Sequence, residues 1–260
     1  MRGHMSVSIK NLRVSLGGRP VLNDLTLAFP AGQVTGLIGP NGCGKTTLLR
    51  AIAGLQAAEG GQVTWQQQPV AAMRPGQRAR QIAILPQSAQ VPDHMTVAEL
   101  AARGRTPHLR PFRPLSGRDK QAVQQAMRSV GIEDLAARPV SALSGGQRQR
   151  AWIAMVLAQD TPLVLLDEPT TFLDLPHQID ILRLVADLSR THGKTIIAVL
   201  HDLNLAARFC GHLAALRAGT LITAGPPAQV VTEETIRRMF GIPCQIQSDR
   251  RYNTPVVLPA

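Results

Sequence analysis

The stretch Val34-Thr35-Gly36-Leu37-Ile38-Gly39-Pro40-Asn41-Gly42-Cys43-Gly44-Lys45-Thr46-Thr47 decides the fold class of this chain. Its first five residues are a short apolar run of strand length. A glycine-rich turn follows, and then a helical segment over Lys45–Ala53. Gly39, Pro40, Asn41, Gly42, Cys43, Gly44, Lys45 and Thr46 fit the pattern G-x-x-x-x-G-K-[ST] between a strand and a helix. Glycines let backbone N–H groups converge on phosphate oxygens with no side chain in the way. The helix N-terminus adds positive potential. Lys45 then reaches the β- and γ-phosphates, the Thr46 hydroxyl serves a magnesium ion, and Thr47 continues the binding turn.

Outward from this loop, apolar strands alternate with helical stretches. Ile82–Leu85, Leu163–Leu166 and Thr195–Leu200 read as strands; Gly145–Gln159, Pro176–Arg190 and Leu203–Phe209 read as helices. That alternation predicts an α/β fold with a mostly parallel sheet. At the N-terminus, Val7–Val14 and Leu22–Phe29 alternate apolar with polar around Gly17-Gly18, the pattern of an antiparallel pair. Between 88 and 142 the composition changes. Proline and arginine crowd Thr106–Pro114, flanked by helical stretches Thr96–Arg103 and Arg118–Val130, which reads as a helical insertion. The chain beyond Leu213 reads as short strands plus a helix over Thr232–Phe240.

Leu163-Val164-Leu165-Leu166-Asp167-Glu168 is a second chemical element. A continuous apolar run implies a strand buried on both faces, and acids at its C-terminal end fall where open α/β sheets bind ligands. Asp167 is assigned to the magnesium shell and Glu168 to the attacking water. The third element, Leu143-Ser144-Gly145-Gly146-Gln147, opens another helix. Ser144 is a good N-cap, and the turn is a second anion site built from N–H groups and a hydroxyl.

In this order, the phosphate loop, Leu-Ser-Gly-Gly-Gln and Asp-Glu resemble the nucleotide-binding subunits of ATP-binding cassette transporters, over Val7 to about Gly241. Gln87 matches that family's Q-loop, Asp174 its D-loop and His201 its switch histidine. The resemblance implies a P-loop NTPase core with an N-terminal antiparallel β subdomain and an inserted α-helical subdomain. It implies one cassette over 5–241, its insertion at about 88–142, with 242–260 as a tail. It implies ATP and Mg²⁺ as ligands, with Thr46, Gln87 and Asp167 on the metal side and Glu168, His201 and Gln87 in hydrolysis. It further implies a head-to-tail homodimer, in which Gly39–Thr47 of one subunit faces Ser144, Gly145, Gly146, Gln147 and Asp174 of the other across each ATP. Family members place an aromatic residue on adenine; here Leu16 stands at that position and offers a plain apolar contact.

Three stretches narrow the resemblance. Gly104-Arg105-Thr106-Pro107-His108, Gln147-Arg148-Gln149-Arg150-Ala151-Trp152-Ile153-Ala154 and Thr170-Thr171-Phe172-Leu173-Asp174-Leu175 look like ATPases that energise bacterial import of ferric siderophores, with haem and vitamin B12 importers as relatives. The implied partners are two membrane permease subunits and a substrate-binding protein outside the membrane, with the ATPase peripheral on the cytoplasmic face of the inner membrane.

Composition sets limits on the alternatives. No apolar run approaches the roughly 20 residues that span a bilayer, and the start lacks a signal-type apolar stretch. Cys43, Cys210 and Cys244 form neither a disulfide framework nor a metal spacing. The net charge of +11 points to an anionic partner. Aromatics at 3% argue against a stacking platform for nucleic acid, and no coiled-coil or zinc insertion of a DNA-repair cassette is present, so no nucleic acid is expected. Arg103, Arg105, Arg110, Arg113, Arg118 and Lys120 lie around a single acid, Asp119, and read either as a solvated basic face or as a face toward a membrane partner and anionic lipid. Cys43, beside a helix N-terminus, is expected to be an open, thiolate-prone residue.

Overall fold

The computed structural model describes residues 5–87, 92, 94–109, 114–171 and 173–260. In chain order its strands and helices are β1 (Met5–Leu16), β2 (Arg19–Pro30), β3 (Val34–Ile38), α1 (Lys45–Ile52), β4 (Gly60–Trp65), β5 (Gln68–Pro69), α2 (Pro75–Ala79), β6 (Ile82–Leu85), α3 (Val97–Arg103), α4 (Gly117–Ser129), α5 (Gly145–Ala158), β7 (Leu163–Leu166), α6 (Leu175–His192), β8 (Thr195–Val199), α7 (Leu203–Phe209), β9 (His212–Arg217), β10 (Thr220–Gly225), α8 (Pro227–Val230), α9 (Glu233–Phe240), β11 (Cys244–Ser248) and β12 (Pro255–Pro259). They divide into two compact units, Met1–Met73 with Val185–Ala260, and Arg74–Leu184.

In the first unit, β1 and β2 form the expected antiparallel pair, ending at Leu16↔Arg19. Gly17 and Gly18 both have positive φ, 56° and 76°. A two-residue turn of that hand matches the twist of the strands and is open chiefly to Gly and Asn. Val7, Ile9, Leu12 and Val14 are buried with Leu22, Leu25, Leu27 and Phe29. β4 continues this sheet antiparallel to β1. A second sheet carries β3 between β8 and β9, parallel to both, with β10 antiparallel beyond β9. Every residue of β3 and of β8 is buried, as an apolar run with no alternation requires.

In the second unit β6 and β7 pair in parallel, Ile82↔Leu163 to Leu85↔Leu166. Helices α3, α4 and α5 pack on one another. Each starts with a capping box: Thr96 with Glu99, Ser116 with Asp119, and Ser144 with Gln147. Gly104 allows α3 to meet α5; a Cβ there would lie 2.0 Å from the Met155 carbonyl oxygen.

One expectation for this region is corrected. Arg105 is not part of an outward basic face. Its side chain is buried, donating to Asp119 Oδ1 at 2.9 Å and to the Ala158 carbonyl at 2.8 Å. It pins α4 and the end of α5 together, and bonds from Ser116 and Arg105 hold the Asp119 carboxyl down at about 2. A buried guanidinium needs such partners, because desolvating it alone is costly. Arg110 and Arg113 lie outside the described residues.

Candidate functional site

In the first unit, the end of β3 runs into a loop with glycine at three positive-φ points. Gly39, Gly42 and Gly44 have φ of 149°, 75° and 101°. A Cβ on Gly39 would sit 2.2 Å from the Leu216 carbonyl oxygen, and one on Gly44 2.7 Å from Leu22 Cδ2. The loop is therefore pressed against β9 and β2, which leaves no room for side chains on those sides. Lys45 is 5% exposed, and its ammonium donates to the carbonyls of Gly39 and Pro40 at 2.8 Å each. It is thereby folded over the loop, held as a single buried charge at the phosphate turn. Gly44 is the N-cap of α1 and makes no side-chain capping bond. The first turn of α1 thus gets no side-chain cap, and a bound anion supplies acceptors of the kind such donors need. Asn41 is exposed, Thr46 half-buried and Thr47 buried.

Cys43 departs from its expectation. The thiol is 4% exposed, turned under the loop, with Sγ 2.9 Å from where a Cβ on Gly39 would stand. Burial pushes its pKa up, and the opposing pull of Lys45 is the smaller effect. It is a packing residue, with little thiolate character.

Two more of the sequence-selected residues lie in this unit. His201 is exposed, two residues beyond the end of β8. It immediately precedes Asp202, whose Oδ1 caps α7 by accepting the Leu205 N–H at 2.8 Å. Leu16 ends β1 and is 45% exposed, so it presents apolar surface to solvent.

In the second unit β7 delivers the two acids. The Asp167 N–H donates to the Leu85 carbonyl at 2.9 Å, extending the β6–β7 ladder by one residue. Asp167 is 4% exposed, while Glu168 is half-buried. Glu168 has φ 54°, left-handed backbone that a residue other than Gly, Asn or Asp rarely adopts. Such strain persists where the surroundings hold it, and it is commonest at functional sites. Glu168 Oε2 accepts from Gln87 Nε2 at 2.7 Å and from Thr171 Oγ1 at 3.0 Å. The structure therefore joins Gln87 to Glu168, 81 residues apart in sequence.

Thr171 is a contact that sequence reasoning missed. A hydroxyl three residues after a carboxylate is a weak local signal, because the same spacing occurs in many ordinary turns.

The Ser-Gly-Gly turn is in the same unit. Ser144 Oγ accepts the Gln147 N–H at 3.3 Å, and Gln147 Oε1 accepts the Ser144 N–H at 3.1 Å. Ser144 and Gly145 are exposed and Gly146 is buried. A Cβ on Gly146 would lie 2.6 Å from His177 Cδ2. His177 in turn bonds through Nδ1 to Asp174, whose carboxyl is held below its ordinary range by that contact. So Asp174 and the Ser-Gly-Gly turn share His177 as a neighbour. Nothing in the sequence singles out His177, because its packing against Gly146 follows from no spacing rule.

The model of the family described as ABC transporter matches residues 22–171, which span the phosphate loop, Gln87, Leu143–Gln147 and both acids. This chain belongs to the ABC transporter family. The ferric enterobactin transport ATP-binding protein FepC of Escherichia coli (strain K12) is 47% identical over 250 residues, 96% of this chain and 92% of that protein. The petrobactin import ATP-binding protein FpuD of Bacillus anthracis is 44% identical over 254 residues, 98% and 93% of the two chains. Among solved structures, an inward-facing metal-chelate type ABC transporter superposes with TM-score 0.86 at 27% identity, covering 98% of this chain and 97% of that one. The ABC ATPase fold, with an antiparallel N-terminal sheet and a parallel-rich main sheet, agrees with what the sequence predicted. Among the described residues no helix is long and apolar enough to cross a membrane.

Proposed function

We propose that this ABC protein is the ATP-binding, ATP-hydrolysing subunit of an importer for iron-siderophore-type cargo. The observation that carries this reading is the match along nearly the whole chain, at 44–47% identity, to ATP-binding proteins named for petrobactin, ferric enterobactin and iron(3+)-hydroxamate import. The hemin import ATP-binding protein HmuV of Streptomyces coelicolor is 40% identical and the cobalamin import protein BtuD of Halobacterium salinarum 39%, which ranks haem and B12 as second readings. In the proposed assembly, two copies of this chain work with two permease subunits and an external binding protein, and the ATPase lies against the cytoplasmic face of the membrane.

The chemistry proposed for the phosphate loop and the two acids follows from their residue types and settings, and the roles of Gln87, His201, Leu16, Asp174 and the Ser-Gly-Gly turn are those the family resemblance implies. Backbone N–H groups of Gly42–Thr46 and the Lys45 ammonium meet the phosphates. The Thr46 hydroxyl and the buried Asp167 carboxylate are hard oxygen donors of the sort magnesium takes, and the Gln87 amide adds a third. Mg²⁺, when bound, neutralises charge on the transferring phosphoryl group. Glu168 orients and deprotonates the attacking water; its strained backbone and its bonds from Gln87 and Thr171 fix the carboxylate's rotation. His201 contributes a donor at the γ-phosphate end, and Leu16 covers adenine with an apolar side chain. Ser144, Gly145, Gly146, Gln147 and Asp174 serve the ATP held by the other copy, which makes nucleotide the link between the two.

Glu168→Gln tests this reading. The variant keeps Mg-ATP binding, loses turnover by about 10²–10⁴-fold, and accumulates an ATP-bound dimer visible by light scattering that reverts when nucleotide is removed. Near-normal turnover would overturn the role of Glu168. Cargo is checked separately, by co-purifying the membrane complex and identifying what its binding protein holds.

A further inference from the structure

The last two strands, which the sequence left as a tail without a role, are fastened to the helix that follows His201. β11 and β12 pair antiparallel from Cys244↔Pro259 to Ser248↔Pro255, and β12 packs along α7. α7 has seven residues. A helix so short has almost no stability of its own, so its position is set by what packs against it.

Two strands hold α7, β3 and β12. Leu205, Ala206 and Ala207 are buried, with α7 packed on β3. Asn204 and Arg208, four residues apart and so on one stripe, meet the C-terminal hairpin. Asn204 Oδ1 accepts the Val257 N–H at 2.8 Å, and Asn204 Nδ2 donates to the Val257 carbonyl at 3.4 Å. One side chain thus satisfies both backbone groups of a β12 residue. The Arg208 guanidinium lies 3.8 Å over the Tyr252 ring and 4.9 Å from that of Phe209. Tyr252 sits in the β11–β12 connection, where Asp249 Oδ1 accepts the N–H of Arg251 at 2.7 Å and of Tyr252 at 3.1 Å. The connection is itself ordered and presents a fixed ring to Arg208. At its other end, α7 is joined through its cap Asp202 directly to His201.

We propose that the C-terminal hairpin is a brace for the switch histidine, with Asn204 as the positioning residue that ties β12 to α7. This rests on the role of His201 given above. Strand β8 fixes the backbone entering His201, and α7 fixes the backbone leaving it. The hairpin holds α7 along the stripe of Asn204 and Arg208 while α7 also packs on β3, so His201 keeps its orientation only while both contacts are in place.

The test is a double-mutant cycle on the full chain. Asn204→Ala removes both bonds to Val257 and lowers kcat of the Mg-ATPase by about 3- to 10-fold, the loss expected for a positioning bond pair. Mg-ATP affinity stays within about twofold, because the Asn204 side-chain bonds run to Val257 of β12 and not to the phosphate loop. In a His201→Ala background the same change has no further effect on kcat, a result that a general loss of folding stability would not give. Arg208→Ala, which keeps the Val257 bonds and removes only the ring contact, moves kcat the same way by a smaller factor and stands in if Asn204→Ala does not fold. Equal losses from Asn204→Ala with and without His201 overturn the brace while leaving the histidine's role intact. Unchanged kcat in Asn204→Ala overturns it as well. No effect of His201→Ala alone sinks the switch role itself, and the brace with it.

Discussion

The two glycine turns of this chain look alike on paper and are built differently. At Gly39–Thr46 the helix cap is Gly44, in left-handed backbone, with no side-chain cap. At Ser144–Gln147 the cap is a serine in extended backbone with a complete capping box. The first turn has three glycines at positive φ and is crowded by the carbonyl of Leu216 and the side chain of Leu22. In the second, neither glycine has positive φ, and only Gly146 is crowded, by the edge of His177. The first is a glycine-dependent turn, fixed at Gly39 and Gly44 by positive φ together with close backbone and side-chain neighbours, which suits the phosphate-binding role proposed for it. The second is a stable helix start that needs no ligand. An anion there meets Ser144 and Gln147 already engaged with each other. The difference fits a division of labour in which one turn binds nucleotide within a single chain and the other closes on it only from a second copy.

The sharpest way to break that comparison is to add one methyl group to each turn. Gly39→Ala forces φ near 149° on an L-residue and drives Cβ into the Leu216 carbonyl. Mg-ATP affinity of the isolated chain should fall by about 10- to 100-fold. Gly145→Ala adds a Cβ 3.8 Å from Leu173 Cδ2, an ordinary contact, and should leave that affinity unchanged. Fluorescent-nucleotide titration separates the two, and equal losses would mean the turns are equivalent.

A smaller effect is expected from the second turn's own side chain. Ser144→Arg leaves single-chain nucleotide binding intact and cuts the ATP-dependent dimer of a Glu168→Gln background by about tenfold, read by light scattering. Ser144→Ala removes the cap and costs about 1 kcal/mol of stability by denaturant titration. If the dimer survives Ser144→Arg, the turn is only a helix start.

The smallest effect is at Cys43. Because its thiol is buried and its pKa raised, a maleimide should label it slowly with or without Mg-ATP, and peptide mass spectrometry should find less than about a twofold difference. Cys43→Ala should then keep nucleotide affinity. Fast labelling that nucleotide blocks would restore the view of an open loop thiol.

Much of the site was legible because its signals are local. A strand, a glycine turn and Lys45-Thr46 form one continuous run, and the apolar residues Leu163–Leu166 place Asp167 and Glu168 at a strand end. The capping box at Ser144 is read from two residues three apart. Arg105 and Cys43 were misread for one shared reason. Each was judged by its chain neighbours, basic in one case and a helix N-terminus in the other, while its burial is set by elements far along the chain. Arg105 meets Ala158, 53 residues on. Cys43 lies under Gly39, against a loop pressed on β9.

By itself, then, the sequence determined the fold class, the order of the elements and the candidates for phosphate binding and acid chemistry, because periodicity, turn composition and motif spacing act within a few residues of chain. Only the tertiary structure decided which side chains hold those residues in place. Gln87 and Thr171 meet on one oxygen of Glu168, His177 closes on Gly146, and Asn204 takes both backbone groups of Val257. Most of these partners are brought together by packing across tens of residues, and where spacing alone separates them, as for Thr171, it is too common to identify a partner. Their effect comes from burial and hydrogen-bond geometry, which exist only once the chain has folded.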